Sequence, residues 1–420
     1  MQVSPVVQPI SRRSVQEVFP AYSPLDLRRL DEELDDKLPL FDPTTSPKSP
    51  RAPHPACYRS NLFNEAVELG IFLWNRWVAV TNKAQFKNPP SSIALEVGNE
   101  QLAISLDKND KLRAFHNACF HHSYTPVDDI EVPYDGKTQC GYHGGTVNEE
   151  GHLCVFKGFG GGGKYSKEDL SIPQFEVDTW GPKEAPIIFV RMEPDPDTLE
   201  TTLAPLKEKL KDKDLSLFRW HSRREYIVNA NWIVFVNNYK DGGFHVEIVH
   251  PELTEGLDLK EYKTLPLAND SCLQTCPTKG GNGVAAAMRQ GTDAQYFYLF
   301  PNFMLDVYTD AMDTMIVTPI DKKTCKVIFD FYFTDKCNED FIQRYTIAKE
   351  DYIKKYIASS DLVQRQDMRV SQGVQKGLGS PRTRPGLYGK TEIKGLRGFH
   401  QEAFKQMQKF HAWLKEGLKG

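Results

Sequence analysis

Two short pieces of the chain combine cysteine with histidine: ACFHHS, which starts at residue 118, and CGYHGG, which starts at residue 140. Cys119 and His121 form a C-x-H pair, Cys140 and His143 form a C-x2-H pair, and 18 residues lie between the two pairs. Thiolates and imidazoles are ligands of zinc and of iron. The two pieces therefore predict a metal centre held by two cysteines and two histidines.

The order of these ligands separates two interpretations. A structural zinc site also takes four ligands from two short pieces, but it usually presents both cysteines first and both histidines later. Here each piece supplies one of each, which suits a [2Fe–2S] cluster with thiolates on one iron and imidazoles on the other. Zinc stays as the alternative, and His122 stays as an alternative ligand to His121.

A second metal site is indicated by NNYKDGGFHVEIVH, in which His245 and His250 have H-x4-H spacing. Two histidines and one carboxylate on one face of an iron ion leave other positions open for O2 and substrate. Asp367, in the amphipathic segment LVQRQDMRVSQGVQKGLGS, is the candidate third ligand, with a solvated helix acid as the alternative. Asp361 is expected to be the N-cap of the same helix.

Two further patterns predict no function. GFGGGGKY, which starts at residue 158, satisfies G-x-G-x-x-G, but Tyr165 replaces the hydroxyl that a P-loop uses for Mg²⁺, and no apolar helix follows to receive phosphate. We expect a flexible loop there. Cys272 and Cys276 are expected to pack as small buried hydrophobes.

Composition limits the setting in which these sites work. The 420 residues are 40% apolar with a net charge of -4, which suits a globular protein and gives no reason to expect nucleic acid or a membrane surface as partner. No apolar run approaches the ~18–20 residues of a membrane span. Eight cysteines are ordinary usage and favour a reduced, cytoplasmic setting. Arg12 and Arg13 among serines keep an organelle transit peptide as the alternative.

The sites must be positioned by a fold of α+β class. Residues 1–56 hold ten of the 27 prolines and predict an extended, proline-rich N-terminal arm. Residues 57–194 open with a helical pattern and continue with short alternating runs, typical of a small antiparallel β domain. Residues 195–420 contain strand-rich stretches and then long helical patterns, which predict a larger domain with an antiparallel sheet covered by helices.

The motifs CFHHS, CGYHG, NNYKDGGFHVEIVH, YLFPNFMLDVYTDAMDT and VQKGLGS occur together and in order over roughly residues 57–410. In this the chain resembles the Rieske-type non-haem iron oxygenases, most of all the choline monooxygenase group. The resemblance implies a Rieske domain in residues 57–194 and a catalytic domain in residues 195–420. It implies metal ligands as follows: Cys119, His121, Cys140 and His143 for the [2Fe–2S] cluster, and His245, His250 and Asp367 for a mononuclear Fe(II).

The resemblance also implies roles for two residues near the iron. Asp241 would bridge the two centres by bonding a histidine ligand of each, because a carboxylate behind an imidazole orients it and offers an electron path. A simple turn residue before Gly242 and Gly243 is the alternative. Asn238 occupies the position of a supporting asparagine in the family.

The activity implied is that of an oxygenase alpha subunit, a monooxygenase that hydroxylates a C–H bond of a small organic substrate with O2. Electrons would come ultimately from NAD(P)H through a separate reductase or ferredoxin, since nothing in the chain resembles a flavin or nicotinamide domain. The usual assembly of such proteins is a homotrimer in which one subunit's cluster lies beside its neighbour's iron. The alternative from another class is a Rieske electron carrier or binding protein with an inactive mononuclear site.

The substrate is the least determined part. Choline-type relatives hydroxylate a methyl group of a quaternary ammonium compound, and such cations favour aromatic cages. The candidate substrate contacts are Phe303, Asp306 and Tyr308, with Tyr296, Tyr298 and Asp310 nearby. The chain departs from the choline-type pattern at Ala311 and Gly145, where tryptophan is common. N- or O-demethylation and aromatic-ring hydroxylation are therefore alternatives.

Overall fold

The computed structural model describes residues 13–44, 51–128, 131–158, 165–166, 169–254, 256–279, 294–337, 339, 342–343 and 346–419. The chain divides into two compact units. The first contains residues 72–199, and the second contains residues 12–71 together with 200–420. The helix predicted to lead the Rieske domain is thus grouped with the second unit, while the domain boundaries at 56/57 and 194/195 stay predictions.

The first unit is built from short antiparallel strands, as the alternating sequence pattern predicts. Its described strands are β1 Val78–Asn82, β2 Ser91–Val97, β3 Glu100–Leu106, β4 Leu112–His116, β5 Val132–Pro133, β6 Lys137–Gln139, β7 Thr146–Asn148, β8 Leu153–Val155, β9 Gln174–Trp180 and β10 Ile187–Arg191. One sheet of described strands has the order β1-β10-β9-β4-β3-β2-β5, and a small sheet has the order β6-β7-β8. The runs SIALEV, LAISLD and LRAFHN are β2, β3 and β4, so this part of the prediction is confirmed.

The second unit contains one large antiparallel sheet. Its described strands are β11 Arg219–Val228, β12 Lys263–Pro266, β13 Ser271–Cys276, β14 Ala294–Leu299, β15 Phe303–Val307, β16 Ala311–Asp321 and β17 Thr324–Phe333. Their order in the sheet is β11-β17-β16-β15-β14-β13-β12. Neighbouring strands from β12 to β17 are consecutive in the chain, so the sheet is a meander closed by β11 at one edge.

The described residues also include ten α-helices. They are α1 Val15–Val18, α2 Pro24–Lys37, α3 Pro55–Arg59, α4 Asn61–Val67, α5 Leu199–Lys209, α6 Trp232–Tyr239, α7 Val246–Val249, α8 Pro251–Thr254, α9 Lys349–Gly379 and α10 Leu396–Gly417. Asn231 caps α6 by accepting a hydrogen bond from the backbone N–H of Ile233, as expected for an asparagine at this position. Helix α6 packs on β16 and β17, and α9 packs on α6 and β11. The α+β class with a helix-covered antiparallel sheet is confirmed.

Helix α9 is tied to its surroundings by polar contacts along its length. The Tyr356 hydroxyl donates to the buried carboxylate of Asp313 on β16 at 3.0 Å. Near the C-terminal end of α9, the Gln375 side chain accepts from the backbone N–H of Asn231 at 2.9 Å. Both contacts are buried, where the local dielectric strengthens them. They fix the rotation of α9 and therefore the direction in which Asp367 points.

Two expectations about local structure are wrong. Residues 15–18 and 24–37 of the expected extended arm are helical. Helix α2 has a Ser23–Asp26 capping box and buries Leu30 and Leu34. This buried apolar stripe stabilises a helix in a segment whose prolines suggested an extended chain. Asp361 is not an N-cap, because α9 begins at Lys349; it lies within the helix and pairs with the Tyr226 hydroxyl. The helix does end at Gly379, as predicted.

Two sequence expectations are not addressed by these elements. The glycines at 160–163 lie outside the described residues, as does the segment 1–12 with Arg12, whereas Arg13 is described and exposed. Within the described part of the chain, no helix combines the length and the apolar character needed to cross a membrane.

Candidate metal centres

The two cysteine–histidine pieces form two loops with the same backbone pattern. In the first, the N–H of Cys119 donates to the carbonyl of Tyr124 at 2.8 Å, and the N–H of Ser123 donates back to the Cys119 carbonyl at 2.8 Å. In the second, Cys140 and Gly145 are joined in the same way at 2.8 Å, and the Gly144 N–H donates back to the Cys140 carbonyl at 3.0 Å. The residue four places after each cysteine has a positive φ, 54° at Ser123 and 74° at Gly144.

The strands around the loops bring them together. The second loop joins β6 to β7, whose residues Gln139 and Thr146 pair across its base. The first loop follows β4 and is pinned by the buried side chain of Asn117, which exchanges two hydrogen bonds with the backbone of Val127. Phe120, in this loop, packs against a small buried cluster of Phe115, Val147 and Ile172. Strand pairing, the Asn117 hydrogen bonds and this apolar cluster thus hold both loops in place.

The predicted ligands converge between the loops. Cys119 and Cys140 are both buried, and the two thiols are hydrogen-bonded neighbours. The His121 and His143 ring centres are 4.8 Å apart. His122 lies close as well, 5.3 Å from His143, but it is more exposed than His121. The two thiols are thus neighbours, and the ring nitrogens of His121, His122 and His143 come within 4.8 Å of one another.

The protonation of these groups indicates which kind of metal centre they would hold. Burial raises the pKa of the Cys119 thiol; a backbone N–H of His121 opposes this rise, and the adjacent Cys140 adds to it. Burial, with His122 and His143 nearby, lowers the pKa of His121. Both shifts favour the neutral forms of the Cys119 thiol and the His121 ring. A cationic iron centre supplies the charge that stabilises two adjacent thiolates, so the donor set fits a cluster of two irons.

Gly145 marks a departure from the family pattern, and the structure offers a reason why it is tolerated. A Cβ placed at Gly145 would lie 3.6 Å from the ring of Phe156. The same ring lies edge-on to His121, with ring centres 5.2 Å apart. Phe156 thus supplies an aromatic surface beside Gly145 and next to the cluster loops.

The second site brings three ligand atoms to one point. Nε2 of His250 lies 3.2 Å from Nε2 of His245 and 3.0 Å from Oδ1 of Asp367. Nε2 of His245 lies 3.6 Å from the same Oδ1. Adjacent ligands of an octahedral ion with bonds of about 2.1 Å are about 3.0 Å apart. The three atoms therefore lie close enough together to share one face of a single metal ion.

The other ring nitrogen of each histidine fixes which nitrogen faces the metal position. Nδ1 of His245 lies 2.6 Å from Oδ2 of Asp241, and Nδ1 of His250 lies 2.6 Å from Oε1 of Gln366. Both partners are hydrogen-bond acceptors, so Nδ1 carries the proton and Nε2 of the neutral ring carries the lone pair. Two lone pairs and a carboxylate oxygen then point at the same spot, which an iron(II) ion would satisfy.

The ionisation of the triad points the same way. Burial lowers the pKa of His245, but hydrogen bonds with Asp241 and Asp367 outweigh burial and raise this pKa to about 9. Burial raises the pKa of Asp367, yet hydrogen bonds from His245 and His250 outweigh it and lower this pKa. The three groups together favour a positive charge at their centre, either a proton or a metal ion that displaces it.

Asp241 acts as a turn residue and also holds one histidine of the triad. Its carboxylate accepts hydrogen bonds from the backbone N–H groups of Phe244 and His245, both at 3.1 Å, as a turn residue does. The same carboxylate holds Nδ1 of His245. The turn needs glycine at Gly243, where φ is +75° and a Cβ would lie 2.6 Å from the ring of Tyr262. A second bond from Asp241 to a cluster histidine stays a prediction.

Asn238 and Gln366 complete the support of the triad. The Asn238 side chain donates to Oδ1 of Asp367 at 2.6 Å, in line with the supporting role expected for it. Gln366 was missed from the sequence. The one sign of it in the sequence is its position directly before Asp367. That position does not predict a shared site, because consecutive residues of a helix point in different directions.

A cavity of about 110 Å³ opens beside the triad. Four tyrosines contribute to its wall, Tyr239, Tyr262, Tyr296 and Tyr308, together with the carboxylate of Asp306. Gln274, Tyr296 and Asp306 lie directly opposite one another on β13, β14 and β15, and so form one row across the sheet. Among the residues described around this cavity, the lining includes no lysine or arginine.

The candidate substrate residues divide between this cavity and other places. Asp306 and Tyr308 line it, as does Tyr296. Phe303 is buried in the sheet outside this lining. The Tyr298 hydroxyl donates to the carbonyl of Pro301, and Asp310 accepts from Thr334; both lie outside the lining too.

Asp306 is held by a neighbouring tyrosine. The Tyr239 hydroxyl lies 2.9 Å from Oδ1 of Asp306 and 3.0 Å from the carbonyl of Phe297. Burial and the nearby Asp306 raise the pKa of Tyr239 well above its usual value, so the phenol stays a donor. The carboxylate is thus oriented within the aromatic wall.

Comparison with known proteins agrees with both centres. Residues 76–159 match the Rieske [2Fe-2S] domain family, and residues 215–409 match the ring hydroxylating alpha subunit (catalytic domain) family. The chain is 30% identical over 426 residues to the chloroplastic choline monooxygenase of Arabidopsis thaliana, covering 98% of this chain and 92% of that protein. It is 25% identical over 332 residues to the carnitine monooxygenase oxygenase subunit of Acinetobacter baumannii, covering 77% and 84%.

A solved structure shares the fold. It is that of a quaternary ammonium Rieske monooxygenase, described in connection with carnitine oxidation by gut microbiota and with inter-subunit electron transfer. The match has a TM-score of 0.70 at 20% identity and covers 87% of this chain and 97% of that one. With its Rieske and catalytic segments and its full-length similarity to such enzymes, the chain belongs to the Rieske-type non-haem iron oxygenases, in the group of choline monooxygenase relatives, and is an oxygenase alpha subunit that uses a [2Fe–2S] cluster and a mononuclear iron.

Proposed function

We propose that this oxygenase hydroxylates a methyl group of a quaternary ammonium cation that carries no carboxylate, such as choline. The observation that carries the proposal is the wall of the cavity beside the His245–His250–Asp367 triad. It combines four tyrosines with one carboxylate, Asp306, and its described lining holds no basic side chain.

The proposed ligands follow from the geometry of the two centres. Cys119, His121, Cys140 and His143 hold the cluster. His245, His250 and Asp367 hold the iron, which supplies O2 activation and oxygen insertion into a C–H bond. The chain's own residues orient these ligands: Asp241 and Gln366 fix the rings, and Asn238 fixes the Asp367 carboxylate.

Substrate preference follows from charge and ring faces. A quaternary ammonium group has no N–H to donate, so aromatic faces and a nearby carboxylate are the groups that stabilise it. Tyr296 and Tyr308 flank Asp306 in the wall of the cavity, which suits such a cation. A relative named for carnitine acts on a molecule that also bears a carboxylate. In this cavity the carboxylate of such a substrate would lie near the negative charge of Asp306, and the described lining has no lysine or arginine to pair with it. We therefore favour choline, an amino alcohol without a carboxylate.

The alternatives rank lower for physical reasons. An aromatic hydrocarbon offers no positive charge to the half-buried carboxylate of Asp306 in the cavity wall, although its binding displaces water from that charge, which costs free energy. Demethylation of an amine or ether uses the same iron and remains compatible with the cavity. An electron carrier has no need for three ligand atoms within 3.6 Å of one another beside a substrate-sized cavity.

We also propose a homotrimer in which the cluster of one copy serves the iron of its neighbour. In one unit His122, Tyr142 and His143 are exposed at the cluster, and in the other Phe244 and Ile248 are 65% and 84% exposed beside the iron site. Exposed apolar side chains next to a redox centre suit a protein interface. Electrons come from NAD(P)H through a separate reductase or ferredoxin. The proposed location is cytoplasmic, with organelle import as the alternative, because the plant relatives are named as chloroplastic.

The iron site is tested by its metal content. We expect about three irons and two acid-labile sulfides per chain in the wild type. Asp367→Ala should lose one iron and all turnover, while the EPR signal of the reduced cluster persists and shows that the protein is folded. Asp361→Asn, a change in the same helix at a carboxylate bonded to Tyr226, should keep all three irons. A wild-type protein with a single zinc, or a third iron retained in Asp367→Ala, would contradict the assignment.

The electron path is tested at Asp241. Asparagine keeps a side-chain oxygen for the turn N–H groups but removes the negative charge behind His245. We expect Asp241→Asn to retain both metal centres and to lose about 10–100-fold in product formed per reduced cluster in a single turnover. Glu247→Gln, a nearby exposed acid, is the control and should behave as wild type. If Asp241 serves only the turn, the two variants will be equally active.

The substrate class is tested at Asp306. We expect Asp306→Asn to raise KM for choline about tenfold, the equivalent of about 1.4 kcal/mol. KM for 3,3-dimethylbutanol, the uncharged analogue, should stay unchanged. Asp310→Asn removes a neighbouring carboxylate that lies outside the cavity lining and is the matched control. An equal loss for charged and uncharged analogues would show that Asp306 does not recognise the cation.

The assembly is tested by light scattering coupled to size exclusion. We expect a mass of three times the 47.8 kDa of one chain. A monomer that turns over at a rate independent of protein concentration would overturn the inter-subunit path.

A further inference from the structure

A second cavity, of about 290 Å³, lies in the unit that contains the iron site, and it is separate from that site. Its wall includes Lys240, the residue that ends helix α6, and Cys272, on strand β13. Asn269 and Lys394 line it as well and are exposed to solvent. Small solutes can therefore reach the lysine and the cysteine without passing the iron ligands.

Lys240 has unusual surroundings for a lysine. Only 3% of it is exposed. Its Nζ lies 4.4 Å from the ring centre of Tyr298 and 2.7 Å from Sγ of Cys272. Among the described residues no carboxylate lies within ion-pair distance of this amine, although buried lysines are normally paired with one. Its close polar partner is thus a thiol, which is a weak acceptor.

The separation of the two atoms is short for their size. An N–H···O hydrogen bond spans about 2.7–3.2 Å, and sulfur is larger than oxygen. Reacting atoms held within about 3–3.5 Å are already in an attack geometry. The Lys240 amine and the Cys272 sulfur therefore meet the positional requirement for a covalent link, and the packing of α6 against the sheet maintains it.

We propose that Lys240 and Cys272 form a redox modification site, in which hydrogen peroxide joins Nζ to Sγ through a single bridging oxygen atom. This site does not depend on the proposed substrate or on the oxygenase reaction. A single oxygen spans atoms at this distance without large movement, whereas a direct S–N bond is shorter and would require the two side chains to close together.

The reaction balances with two molecules of peroxide. The first oxidises the thiol to a sulfenic acid and leaves as one water. The second exchanges with the sulfenic hydroxyl to give an S–O–OH group and a second water. The nitrogen of Lys240, reacting as –NH2, then forms an N–O bond to the sulfur-bound oxygen while the O–O bond breaks, and the departing hydroxide takes one N–H proton as the third water. Sulfur and nitrogen together lose four electrons, which the two peroxides gain.

The bridge would act on a sensitive part of the fold. It would tie the last turn of α6 to β13, immediately before Asp241. Asn238, which donates to Asp367, lies on the same helix end. Oxidation at this second cavity would thus affect the positions of residues that orient the iron ligands.

The test is peptide mass spectrometry of the full-length holoenzyme after peroxide treatment and proteolysis without reductant. We expect a cross-linked pair of peptides containing Lys240 and Cys272, with a mass that adds one oxygen and removes two hydrogens. The pair should disappear after dithiothreitol. Cys154, which is exposed, reports in the same digest that peroxide was effective.

Variants define the site further. Lys240→Arg and Cys272→Ser should each abolish the cross-link, whereas Cys276→Ser should retain it, because Cys276 lies on the same strand and its thiol faces the carbonyl of Asp258. The proposal is overturned if Cys272 accumulates as sulfinic acid with Lys240 unmodified, or if it stays reduced while Cys154 is fully oxidised. A cross-link whose mass lacks the oxygen would also overturn it. The wild-type digest alone decides between these outcomes if a variant does not fold.

Discussion

The catalytic unit depends on holding two imidazole nitrogens and a carboxylate oxygen within 3.0–3.6 Å of one another. Such groups repel unless a cation lies between them, so the fold must supply the force that keeps them together. Part of it comes from behind the rings, where Asp241 and Gln366 hold the opposite nitrogens. The rest comes from α9, which is anchored to the sheet and to the cap of α6 and cannot rotate Asp367 away. The protein therefore prepares the iron site from contacts that involve no metal.

The same sheet sets the chemistry of the cavity. A row of residues across three antiparallel strands places Tyr296 and Asp306 side by side, and Tyr239 fixes the carboxylate from the helix above. Asp310, only four residues later, serves Thr334 instead. Asp306 lies on β15 and lines the cavity, whereas Asp310 lies in the turn between β15 and β16, so the end of the strand decides which of two nearby acids reaches the cavity.

The two cluster loops are held mainly by contacts within each loop. Each is closed by hydrogen bonds within a few residues, with Cys119 and Cys140 at equivalent places. Local closure makes the loops largely independent of the rest of the chain, and it leaves His143 and Tyr142 at an exposed surface. An electron donor needs such an edge. The iron site, in contrast, is assembled from segments more than a hundred residues apart, and its ligands are mostly buried.

The sequence by itself determined the features that depend on short-range order: the cysteine–histidine spacing, the H-x4-H pair, the alternating strands and the end of α9 at Gly379. These are readable because ligand spacing and side-chain periodicity are properties of a few consecutive residues. It misjudged the N-terminal helix and the start of α9, where burial of an apolar stripe outweighed local signals. Only the tertiary structure decided that Gln366 faces His250 and that Lys240 meets Cys272. Those pairs are 116 and 32 residues apart, and no local pattern encodes a contact that packing alone creates.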